Sequence, residues 1–522
     1  MPAFIHHNKL NNNPEKSYEE IAIDKKQGCK NLIQSILYIK NTPVIFNKTK
    51  ISQKIGYVIS GKIKIKYEGV YLNQTINKTF TLGPGTSFLI PERTKSTLNN
   101  IDNNYSMILL VKSPQDEFAK LKKAKIDNFN ENFKSFTDFQ TSNNDVIIDG
   151  LFGSGLKKNI SGNLKKIIEK INLKKPYCVS IDIPSGINGD TGEIQGVALK
   201  SNDTITFTRK KPGHLLSPGS EYCGNVIVED IGINLEKLLF KPQIFENHPD
   251  NWKSKFPWPN QKSHKYTRGF SLIICGEKMT GASRLAARGA ARIGCGLLCL
   301  GVPKKSLDIY STENPIALIE IVDDEKDLKN LLKDKRINTI LIGPGLGISD
   351  KKLKLILKVI KEKKKVVVLD ADALKNNFKK IISEKRTEIV ITPHEGEFLQ
   401  VLKDLKIKNK EKNKLSTTRE FIKKTKINLI LKGNKTIICS QDGQISINTN
   451  TSPFLATGGS GDVLAGMITG LISQGMDIFD ACCASVWIHG EIARIKGPGL
   501  IAEDLPEMIP NVLKKIKNYR VN

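Results

Sequence analysis

Apolar segments of about five residues recur through the second half of the chain, and each runs directly into a polar or glycine-rich motif. The segments end at Cys275, at the turn Gly343–Gly347, at Asp370 and Asp372, at His394 and at Lys432–Thr436. Helical stretches such as residues 352–364 separate them, which predicts a doubly wound, mostly parallel α/β sheet. The carboxyl ends of parallel strands share one edge, where ligands bind. The motifs therefore predict one ligand crevice, because a structural protein has no reason to place them all at one edge.

A glycine-rich stretch, ATGGSGDVLAG at residues 456–466, predicts the start of a helix, since apolar residues recur at helical spacing behind it. A helix start offers unpaired N–H groups and the positive end of a dipole, so this loop suits an anion such as phosphate. A carboxylate does not bind phosphate, and Asp462 is better explained as a base or a metal-positioning group. A plain glycine-rich turn with Asp in the first helical turn is the alternative.

The charge and cysteine content limit the classes of partner. The 522 residues carry a net charge of +28, with lysines spread along the whole length and no aromatic interleaving or nucleic-acid motif. We therefore expect solvated basic faces that favour phosphorylated ligands and do not bind nucleic acid. Nine cysteines without a CxxC motif suggest free thiols in a reducing cytoplasm. No apolar signal core is present, and the uncharged stretch 463–476 is too short to span a membrane, so a cytoplasmic protein of several domains is expected.

Residues 1–125 contain short β-rich runs separated by Asn, Gly and Pro, which predicts an antiparallel barrel or sandwich. The runs GYVISGKIKI and GPGTSFLIP resemble the two motifs of a cupin. A metal-binding cupin has two histidines and a glutamate before the position of Gly61, whereas Lys48, Lys50 and Lys54 occupy these positions here. Protonated lysine cannot ligate a cation, so we predict a cupin-like β domain without metal ligands.

Residues 126–245 contain two predicted buried strands with polar ends, DVIIDGLFGSGL and VSIDIPSGINGDTG. These segments resemble the NAD(P)HX epimerase domain, a Rossmann-like α/β fold known as YjeF-N, which interconverts the two C6 epimers of hydrated NAD(P)H. The resemblance implies that Asp149 and Ser185 hold a potassium ion. It also implies that Asp182 and the loop Gly153, Ser154, Gly155 and Leu156 contact the hydrated nucleotide.

The epimerase pattern is incomplete. Its usual LMExAG-like and GNNGGDG motifs are absent before Asp145, where cupin-like sequence stands instead. The central domain is therefore predicted to be partial and its epimerase activity impaired. A non-catalytic, nucleotide-binding scaffold in the N-terminal half is the alternative.

Residues 250–522, after a Pro- and Trp-rich linker, carry seven motifs in one order: KSHKYTRG, GASRLAARGAARIGCG, GPGLG, LDADAL, TPHEGEF, LKGNKT and ATGGSGDVLAG. Their joint occurrence closely resembles the ADP/ATP-dependent NAD(P)H-hydrate dehydratases, which have a ribokinase-like fold. That family phosphorylates the C6 hydroxyl of hydrated NAD(P)H, so that phosphate leaves and the ring double bond returns. A ribokinase-like small-molecule kinase, which would release its phosphorylated product, is the alternative.

The dehydratase resemblance also implies roles for individual residues. Asp462 is the expected catalytic base. The residues expected to bind ADP or ATP are Lys432, Gly433, Asn434, Lys435, Thr436, Gly459, Ser460 and Gly461. Those expected to contact the hydrate are Ala282, Gly345, His394 and Asp462. Mg²⁺ is expected as the nucleotide's counter-ion, and a homo-oligomer is the expected assembly.

Several of these residues have plainer interpretations. His394 could cap the helix after Pro393, and Lys432 could be a surface lysine. For Asp370 and Asp372 we favour ordinary turn and helix-cap roles.

Overall fold

The computed structural model describes residues 146–230 and 243–518 with gaps at 314, 376 and 409–412, together with nine strands between residues 18 and 112 and the single residues 101 and 143. The chain divides into two compact units, residues 1–238 and 239–522.

The N-terminal part of the first unit is built from antiparallel strands. They are β1 (Tyr18–Ile23), β2 (Ile33–Ile39), β3 (Val44–Phe46), β4 (Lys54–Ser60), β5 (Ile63–Tyr71), β6 (Gln74–Leu82), β7 (Ser87–Ile90), β8 (Thr94–Asn100) and β9 (Ser106–Lys112). They form two sheets, in the orders β1-β2-β9-β4-β7 and β3-β8-β5-β6. Lys48 and Lys50 of the predicted cupin motif lie outside the described residues, and the cupin resemblance stays a prediction.

A parallel sheet forms the rest of the first unit. Its strands are β10 (Val146–Asp149), β11 (Tyr177–Ile181), β12 (Asp203–Phe207) and β13 (Asn225–Glu229), in that order, with helices α1 (Gly162–Lys174) and α2 (Pro212–Leu215). The buried β-branched residues of β10 and β11 account for the parallel pairing, because parallel strands are covered on both faces. Among the described residues, β10 is an edge strand of this sheet.

The second unit is a ten-stranded sheet covered by helices. Its strands are β14 (Ile244–Glu246), β15 (Phe270–Ile274), β16 (Leu297–Val302), β17 (Leu318–Ile321), β18 (Thr339–Ile342), β19 (Val366–Leu369), β20 (Glu388–Ile391), β21 (Asn428–Leu431), β22 (Thr436–Cys439) and β23 (Ile445–Asn448). Its helices are α3 (Thr280–Arg292), α4 (Leu307–Glu313), α5 (Glu325–Leu331), α6 (Asp350–Val359), α7 (Phe378–Glu384), α8 (Glu395–Asp404), α9 (Lys414–Thr425), α10 (Ser460–Ser473), α11 (Ile478–Lys496) and α12 (Asp504–Asn518). The predicted helical stretch 352–364 therefore ends earlier than expected, at Val359.

The strand order of this sheet is β14-β23-β22-β21-β20-β19-β18-β15-β16-β17. All neighbouring strands are parallel except for the pairs that β22 makes with β21 and β23, which confirms the mostly parallel doubly wound sheet. From β15 the chain runs to β16 and β17 on one side and then returns to β18 on the other. The order thus reverses between β15 and β18, and such a reversal opens a crevice at the carboxyl ends of the strands.

The segment interpreted as a linker is part of the second unit. Strand β14 pairs with β23, although the sequence placed residues up to 245 in the central domain and started the next domain at 250. Trp252 is fully buried in the core of the second unit, and its Nε1 donates to Asn247 Oδ1 at 3.2 Å. Asn247 in turn donates to the carbonyl of Cys483 in α11 at 2.8 Å. Burial of the large apolar side chain of Trp252 stabilises the packing of this segment against the second unit.

Candidate active site

The reversal in strand order brings two glycine-containing loops together. Gly276 follows β15 and Gly345 follows β18, and a Cβ on Gly276 would overlap the carbonyl oxygen of Gly345. The hydroxyl of Ser283, in α3, donates to the carbonyl of Pro344 at 2.8 Å. Ala282, in the first turn of the same helix, therefore lies next to the Gly345 loop. Two residues predicted to contact the hydrate thus lie at the switch point.

Asp462 lies in the first turn of α10, directly behind the predicted glycine loop. Gly459 is the residue before the helix, and its φ of 91° is a conformation that glycine adopts readily. The hydroxyl of Ser460 donates to the carbonyl of Leu455 at 2.9 Å, which fixes the loop. The helix behind it is buried from Val463 to Ser473. A rigid, buried helix therefore presents its N-terminal turn and one carboxyl group at the sheet edge.

Lys432 is a basic residue close to this turn. It follows β21, and its Nζ forms an ion pair with Asp370 Oδ1 at 3.1 Å. A Cβ on Gly461 would lie only 3.1 Å from this Nζ, so the ammonium group faces the first turn of α10. Thr392 donates its hydroxyl hydrogen to the same Asp370 oxygen at 2.7 Å. A lysine held in this way can contact a phosphate group bound at the helix N-terminus.

Burial raises the pKa of Asp462 to about 7, and the neighbouring Asp370 carboxylate adds to this shift. Lys432 opposes the shift, whereas Asp372 and Glu397 contribute to it. An Asp in such a site takes up a proton near neutral pH, which is the property of a general base in catalysis. For Lys432, burial lowers the pKa, but the Asp370, Glu397 and Asp462 carboxylates outweigh burial and raise it overall. Lys432 therefore keeps its charge at neutral pH.

His394 is the N-cap of α8. Its Nδ1 accepts a hydrogen bond from the backbone N–H of Glu397 at 3.2 Å, and Glu397 Oε2 accepts one from the backbone N–H of His394 at 3.1 Å. The helix-cap interpretation of His394 therefore describes its local role. The side chain is nevertheless 61% exposed, and the backbone at residue 394 bridges to Lys432. His394 thus lies beside Lys432 with most of its ring accessible.

The predicted nucleotide-binding residues that follow Lys432 form the turn between the antiparallel strands β21 and β22 and the first residue of β22. Gly433 and Asn434 are exposed, and Lys435 and Thr436 are half-buried. Thr436 Oγ1 donates to the carbonyl of Gly433 at 3.3 Å, which closes the turn. Lys432–Thr436 and Gly459–Gly461 therefore meet where Nζ of Lys432 faces Gly461.

Asp370 lies directly before the 3₁₀ turn Ala371–Lys375, and its carbonyl accepts from the backbone N–H of Ala373 at 3.1 Å, as a turn residue's would. Its side chain, however, is 2% exposed and is paired with Lys432, which the plain turn interpretation did not predict. Asp372 links two loops, because its Oδ2 accepts from the backbone N–H of Gly347 at 2.9 Å.

Sequence reasoning also missed His489, which lies in α11. It is buried behind the glycine loop, and its Nε2 donates to the carbonyl of Ser460 at 3.0 Å. Burial lowers the pKa of His489 to about 4, so this ring is neutral. A single histidine on an apolar helix carries no signal in the sequence that would have identified it.

The predicted potassium ligands of the first unit lie together at the end of β10. Asp149 is 1% exposed, and Oδ2 accepts from the backbone N–H of Ser185 at 2.7 Å while Oδ1 accepts from its hydroxyl at 2.5 Å. Ser180 donates to the same carboxyl at 2.9 Å. Burial raises the pKa of Asp149. Carboxylate and hydroxyl oxygens suit a hard cation, although the described residues contain no cluster of three His, Cys, Asp or Glu side chains.

Asp182 follows β11 and faces the loop predicted to contact the hydrate. Its Oδ2 accepts from the backbone N–H of Ser154 at 3.3 Å, and its Oδ1 pairs with Lys211. Burial raises the pKa of Asp182, but the Lys211 ammonium and the hydrogen bonds from Ser154 together outweigh burial and lower the pKa overall. His214 Nε2 donates to the backbone carbonyl of Asp182 at 2.7 Å. Lys211 and His214, from the segment RKKPGH, were not predicted.

Two families match this chain. The family of NAD(P)H-hydrate dehydratases matches residues 271–511, and the family described as YjeF-related protein N-terminus matches residues 105–213, which starts before the predicted boundary at 126. The bifunctional NAD(P)H-hydrate repair enzyme Nnr of Dictyoglomus turgidum is 34% identical over 397 residues, which cover 72% of this chain and 76% of the relative.

The chain belongs to the bifunctional NAD(P)H-hydrate repair enzymes. The Coxiella burnetii repair enzyme Nnr is also 34% identical, over 69% of this chain and 74% of the relative. A solved structure, the ADP/ATP-dependent NAD(P)H-hydrate dehydratase from Bacillus subtilis co-crystallised with ATP/Mg²⁺, is 26% identical and covers 53% of this repair enzyme and all of the solved chain, with a TM-score of 0.46.

Family membership confirms the predicted enzyme class. The second unit of this repair enzyme is an NAD(P)H-hydrate dehydratase, a lyase that binds a nucleotide. Among the described residues, no helix is both long and apolar enough to cross a membrane.

Proposed function

We propose that the second unit dehydrates the S epimer of hydrated NAD(P)H with ADP or ATP, and that Asp462 is its general base. The observation that carries the proposal is the position of Asp462. Its carboxyl, with a pKa of about 7, stands in the first turn of α10 beside the ammonium of Lys432. The same edge of the sheet holds His394 and the loops of Ala282 and Gly345.

In the first step, the Asp462 carboxylate accepts the proton of the C6 hydroxyl while that oxygen attacks the terminal phosphorus of the nucleotide. The bond from this phosphorus to its bridging oxygen breaks, and the shortened nucleotide leaves. N–H groups of Gly459–Gly461 and the ammonium of Lys432 stabilise charge on the transferring group. Mg²⁺ bound with the nucleotide would neutralise further phosphate charge.

In the second step, the C6–O bond breaks and its electron pair leaves with phosphate. The ring nitrogen next to C6 stabilises the resulting cation, and transfer of the C5 proton to the departing phosphate restores the double bond. The phosphoryl group is needed because hydroxide is a poor leaving group. Ala282, Gly345 and His394 orient the ring for both steps by holding it at the switch point.

The test follows NADH absorbance after mixing the purified enzyme with S-hydrate, with and without ADP or ATP. We expect recovery only with nucleotide, and Asp462→Asn should lower kcat on the order of 100-fold or more. Unchanged turnover in that variant would remove Asp462 as the base. Accumulation of a stable phosphorylated hydrate, instead of NADH, would favour the small-molecule kinase.

For the first unit, we propose that Asp149 and Ser185 hold a potassium ion and that Asp182 and the loop Gly153–Leu156 contact the hydrate. The family's first glycine-rich motif is missing from the sequence, and β10 is an edge strand in the described part of the sheet. We therefore expect R-hydrate to be repaired no faster than it epimerises spontaneously. Rapid repair of R-hydrate in the presence of K⁺ would show that this epimerase half is active.

A further inference from the structure

Three adjacent strands bring Asp370, Thr392 and Lys432 into one row at the edge of the sheet. Asp370 follows β19, Thr392 follows β20 and Lys432 follows β21. One oxygen of Asp370, Oδ1, accepts from both Thr392 Oγ1 at 2.7 Å and Lys432 Nζ at 3.1 Å. The carboxylate is buried, so the position of the ammonium is tightly constrained.

Two carboxylates compete for this ammonium. Asp462 is near enough to interact electrostatically with Lys432, but within the described residues the ion pair of Lys432 is made with Asp370. An ammonium paired with Asp462 would stabilise its carboxylate form and make it a weaker base. The location of Lys432 therefore determines how readily Asp462 accepts a proton.

We propose that Asp370 is a positioning residue of the dehydratase: it holds the Lys432 ammonium at the ends of the strands and so keeps Asp462 unpaired for the hydroxyl proton of the substrate. This inference rests on the proposed role of Asp462 and assigns a function to the first Asp of the LDADAL motif. Thr392 supports Asp370 by donating to the oxygen that Lys432 also contacts.

Four charged groups from three parts of the fold face Asp462. Asp370 and Asp372 come from the segment after β19, Glu397 from α8 and Lys432 from the end of β21. Only Lys432 is positive. Loss of the Asp370 charge removes one repulsive neighbour and frees the ammonium to approach Asp462. Both changes lower the pKa of Asp462, so both move the rise of the pH profile to lower pH.

The experiment measures kcat/KM for S-hydrate against pH at saturating nucleotide, in the full chain. The wild-type profile should rise through about pH 7, the pKa of Asp462. In Asp370→Asn this rise should move to lower pH, and kcat should fall on the order of tenfold because the base is weaker. Lys432→Met should move the rise to higher pH, and the double variant should return it toward the wild-type position.

Asp372→Asn is the charge-matched control, because it also removes a negative charge near Asp462 but leaves the Asp370–Lys432 pair intact. Its profile should move less than that of Asp370→Asn. A profile for Asp370→Asn that matches wild type, or one that matches Asp372→Asn, would overturn the proposal.

Asp370→Asn leaves a buried ammonium without its partner and could unfold the domain. The double variant replaces both charges by neutral groups of similar size, so it should fold. In that case Lys432→Met and the double variant decide the matter. Once Lys432 is absent, Asp370 has only its own charge to lose, so the profile of the double variant should lie between the Lys432→Met and wild-type positions; a double variant whose profile moves below the wild-type position would overturn the proposal.

Failure of the proposed function is seen separately, because the wild-type chain would then restore no NADH. The inference would still be tested by following the Asp462 carboxyl carbon by NMR during a pH titration. The titration midpoint of Asp462 should be lower in Asp370→Asn than in wild type and higher in Lys432→Met. An unchanged midpoint in Asp370→Asn would overturn the proposal.

Discussion

Nδ1 of His394 accepts the backbone N–H of Glu397 at 3.2 Å. A backbone N–H can only donate, so Nδ1 carries no proton, and in the neutral ring the proton is on Nε2. Nε2 of His394 is thus a hydrogen-bond donor, and it lies 3.5 Å from Glu397 Oε1. In the proposed site it would donate to the hydrate and would not act as a second base.

This tautomer predicts different behaviour for two isosteric variants. Asn and Asp are both good N-cap residues, so His394→Asn and His394→Asp should have similar melting temperatures. Only Asn keeps an N–H group that can donate. We expect kcat/KM for S-hydrate to be on the order of tenfold higher in His394→Asn than in His394→Asp, the worth of about one hydrogen bond. Equal activity in the two variants would contradict a donor role.

The raised pKa of Asp462 predicts that this residue destabilises the fold at alkaline pH. The folded protein binds its proton more tightly than the unfolded chain, whose pKa is near 3.8. The contribution of Asp462 to the free energy of unfolding is therefore most favourable below pH 3.8, and this contribution is lost as the pH rises through about 7. Asp462→Asn should raise the free energy of unfolding by on the order of 2 kcal/mol at pH 8 and by much less at pH 4. Urea unfolding at the two pH values measures this, and an equal gain at both would contradict the shift.

Gly276 predicts a steric effect at the switch point. A methyl group there would overlap the carbonyl oxygen of Gly345, and both partners are backbone that cannot rotate away. Gly276→Ala should cost about 3 kcal/mol or more. Gly281→Ala is the matched control, because a Cβ there meets no atom within 4 Å and the residue lies in α3. The two melting temperatures should differ clearly, and similar values would mean that the two loops separate easily.

Trp252 predicts that the segment before the motif-rich region is needed for stability. The side chain is fully buried in the second unit, and Trp252→Ala should cost about 3–5 kcal/mol in urea unfolding of that unit. Phe245→Ala in the nearby strand β14 is the control, since that ring is 37% exposed. Its loss should cost no more than about 1 kcal/mol. Equal costs would show that the segment does not pack as described.

The sequence predicts which residues follow the strands at the edge of the sheet, but it does not predict that Asp370 pairs with Lys432. Apolar runs and the polar motifs behind them are local patterns, so the strands and the ends at Gly345, His394 and Lys432 were found directly. Asp370 and Lys432 are 62 residues apart, and their contact depends on β19, β20 and β21 being neighbours. That lateral order is a tertiary property. Asp370 was therefore interpreted as a turn residue.

The domain boundary was misplaced for a related reason. Proline and polar residues around HPDNWKSKFPWPNQ are typical of a linker, and the interpretation counted the tryptophans among the linker features. Trp252 and Phe256 are buried in the core of the second unit. Large aromatic side chains in an apparent linker were the available signal that the segment packs against a domain.

Lys432 begins the four-residue connection between β21 and the antiparallel β22. Most of the other connections at this edge run on into helices, which can accept an extra residue in a surface loop. A short hairpin accepts an inserted residue less readily, because the length of its turn fixes the pairing register of both strands. The backbone N–H of Lys432 also donates to the carbonyl of Pro393 at 2.8 Å, which holds this residue beside the start of α8. An insertion between Lys432 and Thr436 would therefore alter the exposed turn and the register of β22, while the ammonium keeps its place beside the helix N-terminus.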